Sequence, residues 1–280
     1  FPNITLTTQD GKQVKFYDDL IKGKIVAINL IYTRCKDACP LETARFRQVQ
    51  KLLGDRVGKD IFLYSISIDP QHDTPEVLRD YAEMYNAGPG WLFLTGKKED
   101  IDYLTRKLGL YSEPDPNDRD GHIPAVLIGN EPAGQWVRNS ATDNPHFLAT
   151  QIGDFIDNWS NHNPAQQQSP SEAKNTQFDH GRYLFAARCA ACHTIGHGDK
   201  IGPDLAGVSK AREHTWLARM VATPDKLLEE KDPIAMGLFQ RYRQVRMPNL
   251  RLTDSEVEAL LGFLEQHAAT QTSPAVHATE

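Results

Sequence analysis

"KIVAINLIYTRCKDACP" (residues 24–40) sets an apolar, β-branched run against two cysteines four positions apart, the second followed at once by proline. The run from Ile25 to Tyr32 reads as a short strand buried on both faces. Pro40 suits the first turn of a helix, where its missing N–H leaves nothing unsatisfied. On that reading Cys39 stands near the helix N-cap and Cys35 in the loop before it. A helix N-terminus favours thiolate over thiol, and thiolate is the form that attacks disulfides and binds metal. Spacing alone leaves three roles open: a structural disulfide, a redox dithiol or a pair of metal ligands.

The alternation of strand and helix continues. "IFLYSISI" (61–68) is a second buried strand, and the helix between the two should carry Phe46, Val49, Leu52 and Leu53 on one face and stop near Gly54. "DTPEVLRDYAEMY" opens a further helix, with Thr74 as N-cap and Pro75 at the first helical position. "WLFLT", "DIDYLTRKLG", "AVLIG", "QWV" and "HFLATQIGDFIDNW" carry the pattern to Trp159 and predict an α/β domain over residues 1–160. Residues 161–177, "NHNPAQQQSPSEAKNTQ", contain no Val, Ile, Leu or aromatic residue and predict a flexible linker. As a coil it would hold its ends about 23 Å apart. A helical domain follows over 178–268. Its last helix places Val257, Leu260, Leu261 and Leu264 at helical spacing behind a Thr253–Glu256 capping box, and residues 269–280 form a tail.

The 280 residues carry 31 Lys/Arg against 37 Asp/Glu, a net charge of -6, which gives nucleic acid nothing to recommend it as a partner. Residues 1–160 hold 18 basic against 23 acidic side chains, and residues 161–280 hold 13 against 14. No stretch approaches eighteen apolar residues, the signal of a transmembrane helix. The sequence opens on Phe-Pro rather than Met, so the expectation is a trimmed or processed chain whose signal or anchor would lie upstream. Its four cysteines form two local pairs, 35/39 and 189/192, instead of the scattered framework of a disulfide-rich domain.

"CAACH" (189–193) is the most specific signal in the second half. C-x-x-C-H is how c-type haem is attached. Thiols at Cys189 and Cys192 reach two vinyl groups of one porphyrin, and His193 then lies against the iron. A zinc half-site would need two further ligands at suitable spacing, and only scattered histidines follow. With "GRYLFAARCAACH", "GPDLAGV", "MPNLRLTD" and the terminal helix bearing Phe263, residues 178–268 resemble class I cytochrome c. The resemblance implies an all-α cytochrome c domain in which His193 is the proximal haem ligand and Met247 the distal one. Met220 and Met236 are the alternatives, each in a helix-like setting where methionine more often fills a core. A thioether opposite imidazole raises the haem potential and suits electron transfer. Arg241, Arg243, Arg246 and Arg251 surround the Met247 segment; they read as a solvated basic face, a propionate contact or a docking patch for an acidic partner.

His122, in "DRDGHIPAVLIG", is the candidate third ligand for the first cysteine pair. The apolar strand after it should pair near the cysteine-bearing strand and bring its leading loop alongside. Two thiolates and one imidazole suit copper, the sulfurs for Cu(I) and the nitrogen for Cu(II). On composition His72 and His146 are equally available. Residues 1–160 resemble the Sco/SenC copper proteins through "DGKQVKFYDDLIKGKIVAINLIYTRCKDACP", "YSISIDPQHDTPEVLRDYAEMY" and "DRDGHIPAVLI". That resemblance implies a thioredoxin-like fold, copper ligation by Cys35, Cys39 and His122, and help in assembling the binuclear copper centre of cytochrome oxidase. The chain departs from the family at Lys36, where the family has proline. A lysine there favours thiolate but disfavours an incoming cation. "HIPAV" resembles the thioredoxin loop whose cis proline packs against the dithiol.

The combined expectation is a copper-binding, haem-c redox protein of the bacterial cell envelope, periplasmic and tethered only through an anchor absent from this chain. Its partner would be the copper-centre subunit of cytochrome oxidase or another electron-transfer protein. One rival is a thiol–disulfide oxidoreductase that keeps a target's cysteines reduced. Another is a plain electron carrier whose first domain docks the haem to an oxidase.

Overall fold

The chain of the first unit runs β1 (Thr5–Thr8), β2 (Gln13–Lys15), β3 (Ile25–Ile31), α1 (Cys39–Leu53), β4 (Ile61–Ser67), α2 (Pro75–Met84), β5 (Trp91–Thr95), α3 (Lys98–Lys107), β6 (Ala125–Asn130), β7 (Gln135–Ser140) and α4 (Pro145–Thr150). The computed structural model describes residues 1–36, 38–111, 124–156 and 179–270, which divide between two units, Phe1–Ser169 and Pro170–Glu280. The predicted linker lies outside the described residues, as does most of the predicted tail.

The seven strands form one sheet in the order β2-β1-β5-β4-β3-β6-β7. Its centre is parallel, β3 beside β4 and β4 beside β5, and β6 joins β3 antiparallel. This is the α/β arrangement expected from the alternation of strand and helix. The register pairs Ile25 with Ile61 and Ile31 with Ser67, so β3 and β4 end level. Loops 32–38 and 68–74 therefore leave one edge of the sheet. Ligand sites in such sheets gather at the carboxyl ends of the parallel strands. Asn29 stands opposite Val126 in the antiparallel pair, which brings the start of β6 to that same edge.

Alternation divides the strands between two faces. Val26, Ile28, Leu30, Tyr64, Ile66 and Leu94 join Phe16, Ile101 and Leu104 in one core cluster. The other face carries Ala27, Asn29, Ile31, Leu63, Ser65 and Ser67, all buried. It lies under α1: Asn29 reaches Glu42, and the rings of Phe46 and Trp91 sit 5.9 Å apart.

α1 buries Phe46, Val49 and Leu53 as expected, but Leu52 is 44% exposed. At about 100° per residue, position 52 lies well off the stripe that 46, 49 and 53 share, and Gln50 lies nearer to it. Gln50 is buried there, accepting from Gly88 N (3.0 Å) and donating to Pro89 O (3.1 Å). α2 is capped by Thr74, whose hydroxyl accepts from Val77 N, with Pro75 at its start. After β7 the chain forms α4 and then a wider π-helical turn, Gln151–Phe155.

The second unit is helical: α5 (His180–Leu184), which continues as a π-helical turn Phe185–Cys189, then α6 (Val208–Ala211), α7 (His214–Ala222), α8 (Pro224–Glu229), α9 (Pro233–Arg241) and α10 (Asp254–Thr270). α5 and α10 touch at Gly181, where a Cβ would fall 2.2 Å from Ala259 O and 2.7 Å from Phe263 Cβ. Only glycine allows this approach. Phe185 and Phe263 pack beside it, ring centroids 5.5 Å apart. Leu217, Val257, Leu261, Phe263 and Leu264 form the core. The capping box is present: Glu256 Oε2 accepts from Thr253 N (2.8 Å) and Thr253 Oγ1 accepts from Glu256 N (3.4 Å). No described helix is long and apolar enough to cross a membrane.

Candidate functional site

β3 ends at Ile31 and α1 begins at Cys39, so the seven-residue loop between them carries Cys35 and places Cys39 at the first helical position. Cys35 N donates to Tyr32 O (3.1 Å), a tight turn just after the strand. Both thiols are buried and neither is in a disulfide. Inside α1, Thr43 Oγ1 donates to Cys39 O (2.8 Å) and lies 3.0 Å from the Tyr81 hydroxyl.

Below the thiols runs a buried polar row. Trp91 Nε1 donates to Ser65 Oγ (3.0 Å), Ser65 Oγ donates to Asn29 Oδ1 (2.7 Å), and Asn29 Nδ2 faces Glu42 Oε2 at 3.5 Å. Burial pushes the Glu42 carboxyl well above the usual carboxylate range; Asn29 opposes this and the charge of Cys35 adds to it. Burial likewise pushes the Cys39 thiol well up, with its hydrogen bond to Cys35 and the charges of Cys35 and Glu42 acting the same way. At Cys39, burial thus works against the thiolate bias expected from the helix N-terminus. A helix terminus supplies up to about 2 kcal/mol, whereas full burial of a charged group costs on the order of 4–7 kcal/mol.

A second set of bonds ties the cysteine loop to loop 68–74. The Asp73 carboxylate, fully buried, accepts from Thr33 N (3.1 Å), Thr33 Oγ1 (2.6 Å) and Ser67 Oγ (2.5 Å). Outside it, Arg34 pairs with Asp69 at 2.6 Å, in a largely exposed position where such a pair contributes little.

His122 and the Ile123–Pro124 bond lie outside the described residues, as does Asp37 beside the half-buried Lys36. His72 sits in loop 68–74 and His146 in the first turn of α4, both exposed. Among the described residues, no group of three or more His, Cys, Asp or Glu side chains is placed to hold a metal ion. The described part of the first site is two sulfurs, the buried Glu42 carboxyl and the Asp73 bonds that tie the two loops.

In the second unit the π-helical turn runs directly into CAACH. Cys189 O accepts from Cys192 N (3.0 Å) and His193 N (2.9 Å), which presents both half-buried cysteines and the histidine from one turn. His193 Nδ1 lies 2.8 Å from Pro203 O. A carbonyl only accepts, so Nδ1 carries the proton and Nε2 keeps its lone pair. Burial lowers the His193 pKa and keeps the ring neutral; the Pro203 contact opposes this. Gly202 abuts the imidazole, and a Cβ there would lie 2.7 Å from Cε1. The ring is held against backbone with its basic nitrogen turned away from Pro203, which fits a haem-iron ligand. Met220 and Met236 lie within α7 and α9, whereas Met247 is half-buried in the irregular segment before α10. Arg243, Gln244 and Arg251 flank it with φ of +54°, +61° and +52°. Arg241 faces Asp199 at 3.6 Å and Arg246 lies over the Phe239 ring, so this basic face is partly engaged.

The SCO1/SenC family model matches residues 2–138 and the cytochrome c model residues 178–268. The two models thus match separate parts of the chain, SCO1/SenC the first and cytochrome c the second. Over 117 residues, 41% of the chain, it is 32% identical to the mitochondrial SCO1 homologue of Homo sapiens. It spans 38% of that relative's length. Protein SenC of Rhodobacter capsulatus is 27% identical over 157 residues, 55% of this chain and 69% of that protein. The solved structure of Bradyrhizobium japonicum ScoI, described with copper bound, is 25% identical at a TM-score of 0.44, covering 53% of this chain and 94% of that one.

Reading the sequence missed several residues that shape these two domains. In the SCO1/SenC domain they are Asn29, Glu42, Ser65 and Asp73. Asn29 and Ser65 had a signal, as polar residues within the otherwise apolar strand runs "INL" and "YSISI", and Glu42 and Asp73 had none. In the cytochrome c domain Asp204 was missed. Its carboxylate accepts from Gly196 N (2.9 Å), His197 N (2.7 Å), Gly198 N (2.6 Å), Ala206 N (2.7 Å) and Thr194 Oγ1 (2.8 Å), and these bonds hold its pKa well below the usual range. It thereby orders the loop that brings Pro203 to His193.

Proposed function

We propose that this chain is a copper-binding, haem-c redox protein of the bacterial cell envelope that serves assembly of a cytochrome oxidase copper centre. Cys35, Cys39 and His122 hold copper in the domain of residues 1–160. Cys189 and Cys192 carry the haem through thioether bonds in the domain of residues 178–268, with His193 and Met247 as axial ligands. Residues 161–177 are the tether and residues 269–280 a tail. The observation that carries the reading is the buried Cys35/Cys39 thiol pair, set by β3 and α1 at the ligand edge of a SCO1/SenC sheet. Copper and haem each change by one electron, whereas a dithiol exchanges two, so the two sites match in stoichiometry.

Copper content and affinity of the reduced protein, wild type beside Cys35→Ser and His122→Ala, test the copper half. Loss of a thiolate should weaken Cu(I) binding more than loss of the imidazole, and His122→Ala should damage Cu(II) binding most. An unchanged Cu(II) spectrum in His122→Ala would remove that residue from the ligand set. Acid–acetone extraction tests the haem half, and haem leaving the polypeptide would refute covalent attachment. The thiol–disulfide reading draws on the hydrogen bond between the two buried cysteines and on burial pushing the Cys39 thiol up. It predicts reduction of a disulfide peptide without copper, undiminished in His122→Ala.

A further inference from the structure

Asp73 lies 38 positions beyond Cys35 and belongs to no cysteine motif. Its carboxylate is fully buried and receives three hydrogen bonds, two from Thr33 and one from Ser67. None of these serves the helix that Asp73 precedes, because Thr74 caps α2. Ser67 Oγ in turn accepts from Asp69 N (3.0 Å), and Asp69 O accepts from Asp73 N (2.9 Å), which closes loop 68–74 on itself. Thr33 is two residues before Cys35 in a segment without helix or strand. Cys39 differs: its backbone is fixed within α1. The placement of one sulfur is therefore set by a regular element, and that of the other by how the loop is anchored.

We infer that Asp73 is a positioning residue for the Cys35/Cys39 pair, holding the Cys35 arm of the loop through Thr33 so that the two sulfurs stay within reach of each other. The inference deepens the function proposed above and rests on that pair being the working site. Thr33 N can only donate, whereas the Thr33 and Ser67 hydroxyls can also accept. An amide at position 73 can keep its oxygen on Thr33 N and Ser67 Oγ but must make the Thr33 hydroxyl reverse its role, and it trades three charge-assisted bonds for weaker neutral ones.

The test reads the pair without copper. In glutathione buffers the two thiols pass two electrons and two protons to glutathione disulfide, giving the Cys35–Cys39 bridge and two glutathione thiols. Alkylation and mass spectrometry of the peptide holding both cysteines then give the equilibrium constant. Asp73→Asn should lower it three- to tenfold, a shift of about 15–30 mV toward easier reduction. Thr33→Val should do the same and Thr33→Ser should restore it, which keeps the test alive if Asp73→Asn does not fold. Thr74→Ala uncaps α2 one residue away without touching Thr33 and should leave the constant unchanged while lowering stability. Equal shifts in Asp73→Asn and Thr74→Ala, or a folded Asp73→Asn with the wild-type constant, would overturn the inference. Cu(I) competition on the same variants separates the two readings: a wild type that takes up no copper sinks the copper proposal alone, and the thiol equilibrium still decides Asp73.

Discussion

Buried beside two thiols, the Glu42 carboxyl holds its proton to a higher pH than it does in the unfolded chain. Between those two values the folded protein binds more protons than the unfolded one. Its contribution to stability is therefore complete below about pH 4.3 and is lost as pH rises through the folded value. Glu42→Gln should stabilise the reduced, copper-free protein at pH 7 by on the order of 1 kcal/mol and do nothing at pH 4. Urea unfolding at both pH values checks this, and equal effects at the two would refute it. Cys39 obeys the same sign, with stability falling above about pH 8.5, and Cys39→Ala should flatten that slope. In the other domain Met247→Ala should abolish the weak near-infrared sulfur-to-iron band, and Met236→Ala should leave it intact. A swap of those outcomes would assign the distal ligand to α9. The candidate ligands stood out in the sequence because Cys, His and Met sit in short local motifs. Glu42 and Asp73 did not, because each acts on a partner that only the folded sheet supplies.

Gly181 and Gly262 give the helices of the second unit opposite expectations. An alanine at 181 would press against Ala259 O and Phe263 Cβ across the α5–α10 contact, whereas a Cβ at 262 meets nothing within 4 Å. Overpacking of that kind costs about 1–3 kcal/mol, and replacing an interior helical glycine in open space gains about 0.5–1 kcal/mol. Thermal unfolding followed by circular dichroism should show Gly181→Ala melting earlier and Gly262→Ala later; the same direction for both would contradict the contact. At this scale the strands were the most readable part, since β3 is buried along its length and its apolar run has no competing period. Leu52 misled because adjacent leucines cannot share one helical face. The π-helical turns at Gln151–Phe155 and Phe185–Cys189 had no signal, since their composition is that of an ordinary helix.

For the whole molecule the joining of the two domains is itself a prediction. If the haem serves the copper site, Cu(I) added to the ferric protein should reduce one equivalent of haem at a rate independent of protein concentration. Cleavage within "QQQSPSEAK" keeps every proposed ligand and should make that step second order. Equal rates in intact and cleaved protein would favour the plain-carrier reading. The sequence's signal for a division was the change in composition at residues 161–177. The parallel register of β3 and β4 carries a different consequence. Thr33 meets Asp73 across 40 residues, after a helical crossover has closed. Such non-local pairings form late, once loop entropy has been spent. Until then Cys35 and Cys39 are an unshaped dithiol on the same chain as Cys189 and Cys192. Before haem attachment, the hazard during biogenesis is mispairing among four thiols. An oxidant supplied before the sheet closes should trap wrong bridges, and one supplied afterwards should find Cys35 and Cys39 already matched.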